Sequence, residues 1–452
     1  MAAQRRPNIL YIHSHDTGRY IQPYGYAVPT PHLQRLAEEG VLFRRNFAAA
    51  PTCSPSRAAL LTGMYPHSCG QLGLVNRGFV LANPELHLAH TLRASGYLTA
   101  LAGIQHVVRD PATTGYEYVA RRGPGGGRAE HVTPTAIELI RGPLRQSAAA
   151  GRPFFLDAGF FETHRRFHEP DPEAHPAEDP RYCLPPAPLP DTAETRYDMA
   201  CFKASARVLD QSVGAILEAL DDAGLAEQTL VIATTDHGIA FPGMKCNLTD
   251  HGIGVLLIMR GPGGFRGGKV VDAMVTHLDV FPTVCELAGI EPPARLQGAS
   301  LLPLIRGEVD RLHEEIFAEV NYHAAYEPQR CVRTERWKYI RRYVDYPRPL
   351  LANCDDGPSK DVWVRYGWPE RDVPREQLYD LVFDPVETHN LAGESALRGV
   401  LDEMRARLDR WMRETNDPLL QGPVPAPPEA VVNAPEDPSP SSARPTASSA
   451  RA

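Results

Sequence analysis

The chain has 452 residues, 43% of them hydrophobic and 23% charged, and a formal net charge of −8. That length is too great for one small core and predicts a large α/β domain with an appendage, or two domains. The acidic balance argues against nucleic acid and anionic membranes as partners, although a local basic pocket can still hold an anionic substrate. No apolar run approaches the ~18 residues that span a bilayer, and no apolar leader of about 7–15 residues precedes the first strand. The expected location is therefore cytoplasmic. The eight cysteines are scattered without a CxxC pair and do not read as a disulfide framework.

Residues 8–12 form a short apolar, β-branched run that reads as a buried parallel strand. It ends in His13-Ser14-His15-Asp16-Thr17-Gly18. Open α/β sheets place ligands at the carboxyl ends of such strands. Asp16 is a hard oxygen donor and His15 a borderline nitrogen donor, although read alone the segment fits a capping or turn segment better than a metal site. Residues 29–40 predict a helix with Thr30 as N-cap, Pro31 in its first position and Gly40 as its stop. A strand over 41–43 leads to Cys53-Ser54-Pro55-Ser56-Arg57. Pro55 suits the first turn of a helix, which puts Cys53 at or just before a helix N-terminus. Free N–H groups and the positive dipole end favour an anion there, and Arg57 lies one turn further on. A nucleophile, a guanidinium and a helix N-terminus together point to chemistry on a tetrahedral oxyanion. The plainer alternative is a buried free cysteine beside a turn.

Further strands are expected over 98–102, ending at Gly103-Ile104-Gln105-His106, and over 152–160, ending at Phe161-Glu162-Thr163-His164-Arg165. Residues 166–195, rich in Pro, Asp and His, read as a surface excursion of the kind that shapes pockets. A helix over 196–224 carries Val208, Val213, Ile216, Leu217 and Leu220 on its apolar face, with Asp210, Asp221 and Asp222 assigned to a solvated face. The strand 229–235 ends in Asp236-His237-Gly238, a carboxylate and an imidazole suited to a metal, with a glycine for the sharp turn. After about residue 310, short strands over 315–320, 330–334 and 337–340 suggest a small antiparallel sheet; segments 377–381 and 384–391 follow, then a helix over 395–415. From about residue 421 the chain is Pro/Ala/Ser-rich without apolar period and is expected to be disordered.

The spacing Cys53-x-Pro55-x-Arg57, with Leu61-Thr62-Gly63 behind it, resembles the signature of the type I sulfatases, formylglycine-dependent members of the alkaline phosphatase superfamily. The resemblance covers roughly residues 7–415. The Phe-Phe-x-x-His-Arg context of His164 looks closest to the heparan N-sulfatase (sulfamidase) branch. The fold it implies is a large mixed, mostly parallel sheet sandwiched by helices, with a smaller C-terminal α+β subdomain. The implied divisions are a catalytic domain over 1–310, a subdomain over 311–420 and the tail 421–452.

The resemblance also implies chemistry. Cys53 would be oxidised to formylglycine by a formylglycine-generating enzyme and hydrate to a geminal diol. One divalent metal would be held by His15, Asp16, Asp236, His237 and position 53. The family's first aspartate is replaced here by His15, so calcium, the family's usual ion, competes with manganese or another transition metal. Arg57 and Lys245 would stabilise the sulfuryl oxygens. His164, with Lys245, would protonate the leaving atom, and His106 would act as base on the second hydroxyl. The family's lysine two residues before that histidine falls on Ile104. His323 and Arg330 are candidates for lining the pocket from the C-terminal side. The activity implied is hydrolysis of a sulfate ester or N-sulfate, such as that of a sulfated sugar. The alternatives are a phosphonate monoester or phosphodiester hydrolase of the same superfamily, and a catalytically inactive anion-binding homologue.

Overall fold

The computed structural model describes residues 6–120 and 126–443. The expected passage of the first five residues into a strand lies outside the described residues, as does the end of the tail, 444–452.

Eight strands form the main sheet: β1 (Asn8–Ser14), β2 (Val41–Phe47), β3 (Leu98–Gly103), β4 (Tyr118–Ala120), β5 (Phe154–Gly159), β6 (Thr229–Thr235), β7 (Leu257–Arg260) and β8 (Lys269–Thr276). Their spatial order is β4-β3-β5-β1-β6-β7-β2-β8. Only β7 runs against its neighbours β6 and β2; every other pairing is parallel. β1, β3, β5 and β6 are buried along their whole length, as expected where helices cover both faces. Alternate residues of β1 serve opposite cores. Ile9 and Tyr11 join the cluster that holds Phe281 and Val284, whereas Leu10 and Ile12 join the one that holds Val213, Ile216 and Leu220.

Helices α1 (Pro31–Glu39), α2 (Cys53–Thr62), α3 (Ala193–Asp222) and α4 (Val280–Ala288) supply these layers. Thr30 precedes α1 but does not cap it; its hydroxyl accepts from the Gln22 backbone instead. The cap comes from α3. Asp210, expected on a solvated face, is buried and accepts the backbone N–H groups of His32 at 3.1 Å and Leu33 at 2.8 Å. A carboxylate on two orphan N–H groups at a helix N-terminus is favourable whatever its place in the sequence. Asp221 and Asp222 are exposed, as expected.

The second sheet is antiparallel, in the order β12-β11-β10-β9, from β9 (Glu315–Tyr322), β10 (Tyr326–Thr334), β11 (Trp337–Arg342) and β12 (Glu376–Asp380). Helix α5 (Arg398–Glu414) packs on it through Trp411, stacked on Phe317 at 4.9 Å between centroids, a contact worth about 0.5–1.5 kcal/mol beyond area burial. Arg330 does not line a pocket. It is fully buried and pairs with Glu319 at 3.1 Å and with Asp417, because β10 points its guanidinium into the subdomain core.

The Pro/Ala/Ser-rich segment up to residue 443, expected to be disordered, is packed. Asn433 bridges to Ala325 and accepts from Arg77 at 2.9 Å. Arg77 also donates to the Pro440 carbonyl at 2.7 Å, and Lys360 to the Pro438 carbonyl at 2.7 Å. The segment has no apolar period of its own; side chains elsewhere hold its carbonyls. All eight cysteines are free and buried. Among the described residues, no helix is long and apolar enough to cross a membrane.

Candidate active site

Three parallel strand ends meet at one place. In register, Ser14 of β1 lies beside Thr235 of β6, and His13 beside Gly159 of β5. The chain therefore delivers His15-Asp16, Asp236-His237 and Phe160–His164 side by side. Asp16 takes a left-handed turn, φ 54°, which aspartate tolerates better than most residues. Its N–H then reaches Asp236 Oδ1 at 2.8 Å. Helix α2 brings Cys53 to these ends, and its Ser56 hydroxyl donates to the Asp236 carbonyl at 2.6 Å.

Asp16, Cys53, Asp236 and His237 present ligand atoms that all lie within 4.8 Å of one another. The His237 Nδ1 faces the Gly238 carbonyl at 3.0 Å. A carbonyl only accepts, so Nδ1 carries the proton and Nε2 presents its lone pair. That lone pair faces Cys53 Sγ at 3.3 Å and Asp16 Oδ1 at 3.3 Å. Asp16 Oδ1 is buried without a hydrogen-bond donor. A lone pair beside an undonated, buried carboxylate oxygen is costly unless a cation sits between them. The donor set thus fits a divalent ion, and the carbonyl behind His237 is the orienting partner that metal-bound imidazoles use. Burial opposes ionisation of Asp236, yet the Arg57 guanidinium and the Asp16 N–H hold its carboxyl well below the usual carboxylate range. Burial pushes the Cys53 thiol well up, so the unmodified side chain is not a ready thiolate.

Lys245 closes one flank. Its ammonium donates to Asp16 Oδ2 at 2.9 Å, Asp355 Oδ2 at 2.8 Å and His164 Nε2 at 3.3 Å. Burial works against its charge, but Asp16 and Asp355 keep it protonated well past the usual range. Asp355 was invisible in the sequence. It comes from an irregular loop of the C-terminal region, and the only available signal was the acidic pair Asp355-Asp356 before a glycine. His323 is buried there too, its ring held well below its ordinary pKa by burial and by Lys245.

Arg57 lies behind the cysteine and is not turned outward. Its guanidinium donates to Asp236 Oδ2 at 3.0 Å, to the Ser14 carbonyl at 2.7 Å and to His13 Nδ1. His13 passes the chain on to Asp157 at 2.7 Å.

The opposite flank is made of imidazoles. His15 Nδ1 donates to the Phe160 carbonyl at 2.8 Å, which leaves Nε2 as a buried lone pair without a partner. His106, at φ 56°, donates from Nε2 to Asn76 Oδ1 at 3.2 Å, and its Nδ1 is likewise unpartnered. His15, His106 and Cys53 form one group within 4.8 Å, separate from the carboxylate set. His15 thus falls on the His106 side of Cys53 and outside the cluster of Asp16, Asp236 and His237. Burial drives the His106 ring down to about 3. A cavity of about 660 Å³ opens beside His106, lined by Asn76, Ile104, Arg109, Arg128 and Phe161. The Phe161 ring lies 5.4 Å from that of His15 and 4.7 Å from that of His164, so the cavity adjoins the imidazoles around Cys53.

The chain is similar to known proteins along most of its length. A sulfatase family model matches residues 7–290, and a model described as N-sulphoglucosamine sulphohydrolase, C-terminal, matches residues 244–360. The chain is 31% identical to human N-sulphoglucosamine sulphohydrolase, over 93% of this chain and 92% of that protein. Among solved structures, a protein in complex with its substrate D-glucosamine-2-N,6-O-disulfate superposes with a TM-score of 0.71 at 18% identity, covering 91% of this chain and 98% of that one. A phosphonate monoester hydrolase of Agrobacterium radiobacter superposes with a TM-score of 0.69 at 21% identity, covering 94% of this chain and 100% of that one.

Proposed function

Because the chain belongs to the sulfatase family of sulfuric ester hydrolases, we propose that it cleaves a sulfate ester or N-sulfate of a small sulfated sugar, using formylglycine made from Cys53 and one divalent metal. The observation that carries this reading is the undonated Asp16 Oδ1 and the His237 lone pair, both aimed at the space beside Cys53.

Asp16, Asp236 and His237 would hold the metal, which supplies Lewis-acid polarisation and a lowered pKa for a neighbouring hydroxyl. An imidazole among carboxylates favours manganese or another first-row ion over calcium. Formylglycine, once hydrated, supplies one hydroxyl to attack sulfur and a second whose deprotonation releases sulfate. The maturation partner is a formylglycine-generating enzyme.

The remaining residues act as follows. Arg57 fixes Asp236 and the β1 end, so it positions the ligand set and does not grip the substrate. Lys245 carries a proton that His164 Nε2 accepts, and this pair protonates the leaving oxygen or nitrogen. Asp355 holds Lys245 in place and charged. His106 Nδ1, neutral and unpartnered, is the base for the second hydroxyl.

The first test is peptide mass spectrometry of the Cys53 segment from protein made in its native host, followed by turnover of sulfate esters, sulfamates, phosphonate monoesters and phosphodiesters by one converted preparation. The expected result is formylglycine at position 53 and the highest kcat/KM on a sulfate ester or sulfamate. Dominant phosphodiester or phosphonate turnover would transfer the reading to the phosphonate hydrolase branch. Unmodified cysteine with no turnover on any compound would leave an inactive homologue.

A further inference from the structure

The cations nearest Cys53 are fully engaged. An ammonium has three donors, and those of Lys245 go to Asp16, Asp355 and His164. Arg57 is directed at His13, Ser14 and Asp236, and its one unpartnered nitrogen, Nε, is buried. Neither side chain can meet an additional anion without giving up a carboxylate or a strand end. The chain as a whole repels anions, at −8, so recognition of an anionic group needs a local positive surface.

The cavity beside His106 provides one. Its wall carries Arg109 and Arg128. Arg109 is exposed and has no ionic partner among the described residues. Arg128 is only loosely engaged. It lies 3.6 Å from Glu162, donates to the Arg166 carbonyl at 3.3 Å, and rests over the Phe161 ring at 4.8 Å. Strong charge-assisted bonds run at about 2.7–2.9 Å, so this guanidinium retains donor capacity. Glu162 keeps other donors without it, Ala129 N–H at 3.0 Å and His168 at 3.2 Å. Phe161 and Ile104 give the same cavity an apolar side on which a ring can rest.

We propose that the Arg109–Arg128 wall is an anion subsite for a sulfate or carboxylate group of the substrate other than the one cleaved. The preferred substrate therefore carries at least two negative groups, one beside Cys53 and one at the mouth of the cavity. This rests on the sulfohydrolase reading above for what occupies the Cys53 end.

The test measures binding by calorimetry in full-length Cys53→Ala protein, which has no hydroxyl or thiol at position 53 to attack the sulfate. The probes are glucosamine N-sulfate, the same sugar with a second 6-O-sulfate, and N-sulfoglucosamine linked to a uronic acid. A two-anion probe should bind about 10- to 100-fold more tightly than the single sulfate, the effect of one or two charge-assisted hydrogen bonds. Arg109→Ala should remove at least a factor of about ten from that preference and leave the single sulfate within about twofold. Whichever two-anion probe shows the preference identifies the second group as sulfate or carboxylate. Arg128→Ala should act like Arg109→Ala, and Arg128→Lys, which keeps a cation beside Glu162, should retain the preference. Equal affinities for one- and two-anion probes would overturn the proposal. So would a preference that survives both alanine variants with their melting temperatures unchanged. If the preference behaves as expected but converted wild-type protein cleaves no sulfate, the subsite stands and the reaction assigned to Cys53 falls.

Discussion

The two flanks of Cys53 are built on opposite principles. On the side of Asp16, Asp236, His237 and Lys245, buried carboxylates face Lys245, the Arg57 guanidinium and the His237 lone pair. On the side of His15 and His106, the groups are neutral rings with unpartnered lone pairs, opening on a cavity. A network of charges in a low-dielectric interior is stiff, since moving any member strands another. A pair of neutral imidazoles makes no such demand, since neither ring holds a charge that its neighbours must balance. The first flank is suited to holding an ion and a geometry; the second is suited to proton traffic and to what the substrate brings.

Substitutions can break this contrast. Cys53→Ala should cost the most, at least about a thousandfold in kcat, as removal of a nucleophile does elsewhere; melting temperature should shift little, because Ala keeps the helix. Asp16→Asn should empty the charged flank of its ion. Metal content by mass spectrometry should fall below one equivalent, and turnover by roughly 10²–10³-fold. His106→Ala belongs to the other flank and should lower steady-state kcat by about 10²–10⁴-fold. It should still allow a single turnover, seen as a burst of desulfated product. A burst in Asp16→Asn but not in His106→Ala would reverse the assignment of the two flanks.

Acid should test the neutral rings that the fold buries. Burial pushes His106 down to about 3, His277 to about 3 and His87 to about 4. Each ring is neutral when folded but takes up a proton in the unfolded chain below pH ~6.5, so the unfolded state binds more protons between those values. The stability they contribute is full above pH ~6.5 and is lost as pH falls toward 4. His87 has a direct reason to stay neutral, since its Nδ1 accepts the Ala89 N–H at 3.0 Å. Melting temperature should therefore fall between pH 6.5 and 4, and His87→Asn, which keeps a capping acceptor, should make the fall shallower. The smallest expected effect lies away from the site. Asp210→Ala should cost about 1 kcal/mol by denaturant titration, the loss of a helix cap, with kcat unchanged.

Local pattern carried much of this. The strands whose ends form the site are short apolar runs followed by polar turns, so Asp16, His106, His164 and Asp236-His237 could be placed at strand ends from their order alone. Cys53 at a helix start followed from Pro55 and the apolar run behind it. What the sequence hid was side-chain pairing across long separations. Asp355 reaches Lys245 from 110 positions away, and Asp210 caps a helix 178 positions earlier. No periodicity marks such partners, because each is fixed only when two finished elements dock. Arg330 was misplaced for the same reason, since an arginine on a strand looks the same whether it faces a pocket or a pair of buried carboxylates. The side of Cys53 on which His15 falls was set by its bond to the Phe160 carbonyl, which no local reading anticipates.

Cys53 heads a helix in which all ten residues are buried, and is itself 2% exposed. If Cys53 is oxidised as proposed, the docked helix hides it, so an enzyme acting on this side chain would have to reach it before the helix docks. Such a modification would compete with folding for the same stretch of chain, and its yield would be decided by timing. Slower synthesis or delayed docking of this helix would raise the converted fraction, and a chain that folded first would stay unconverted until it unfolded again.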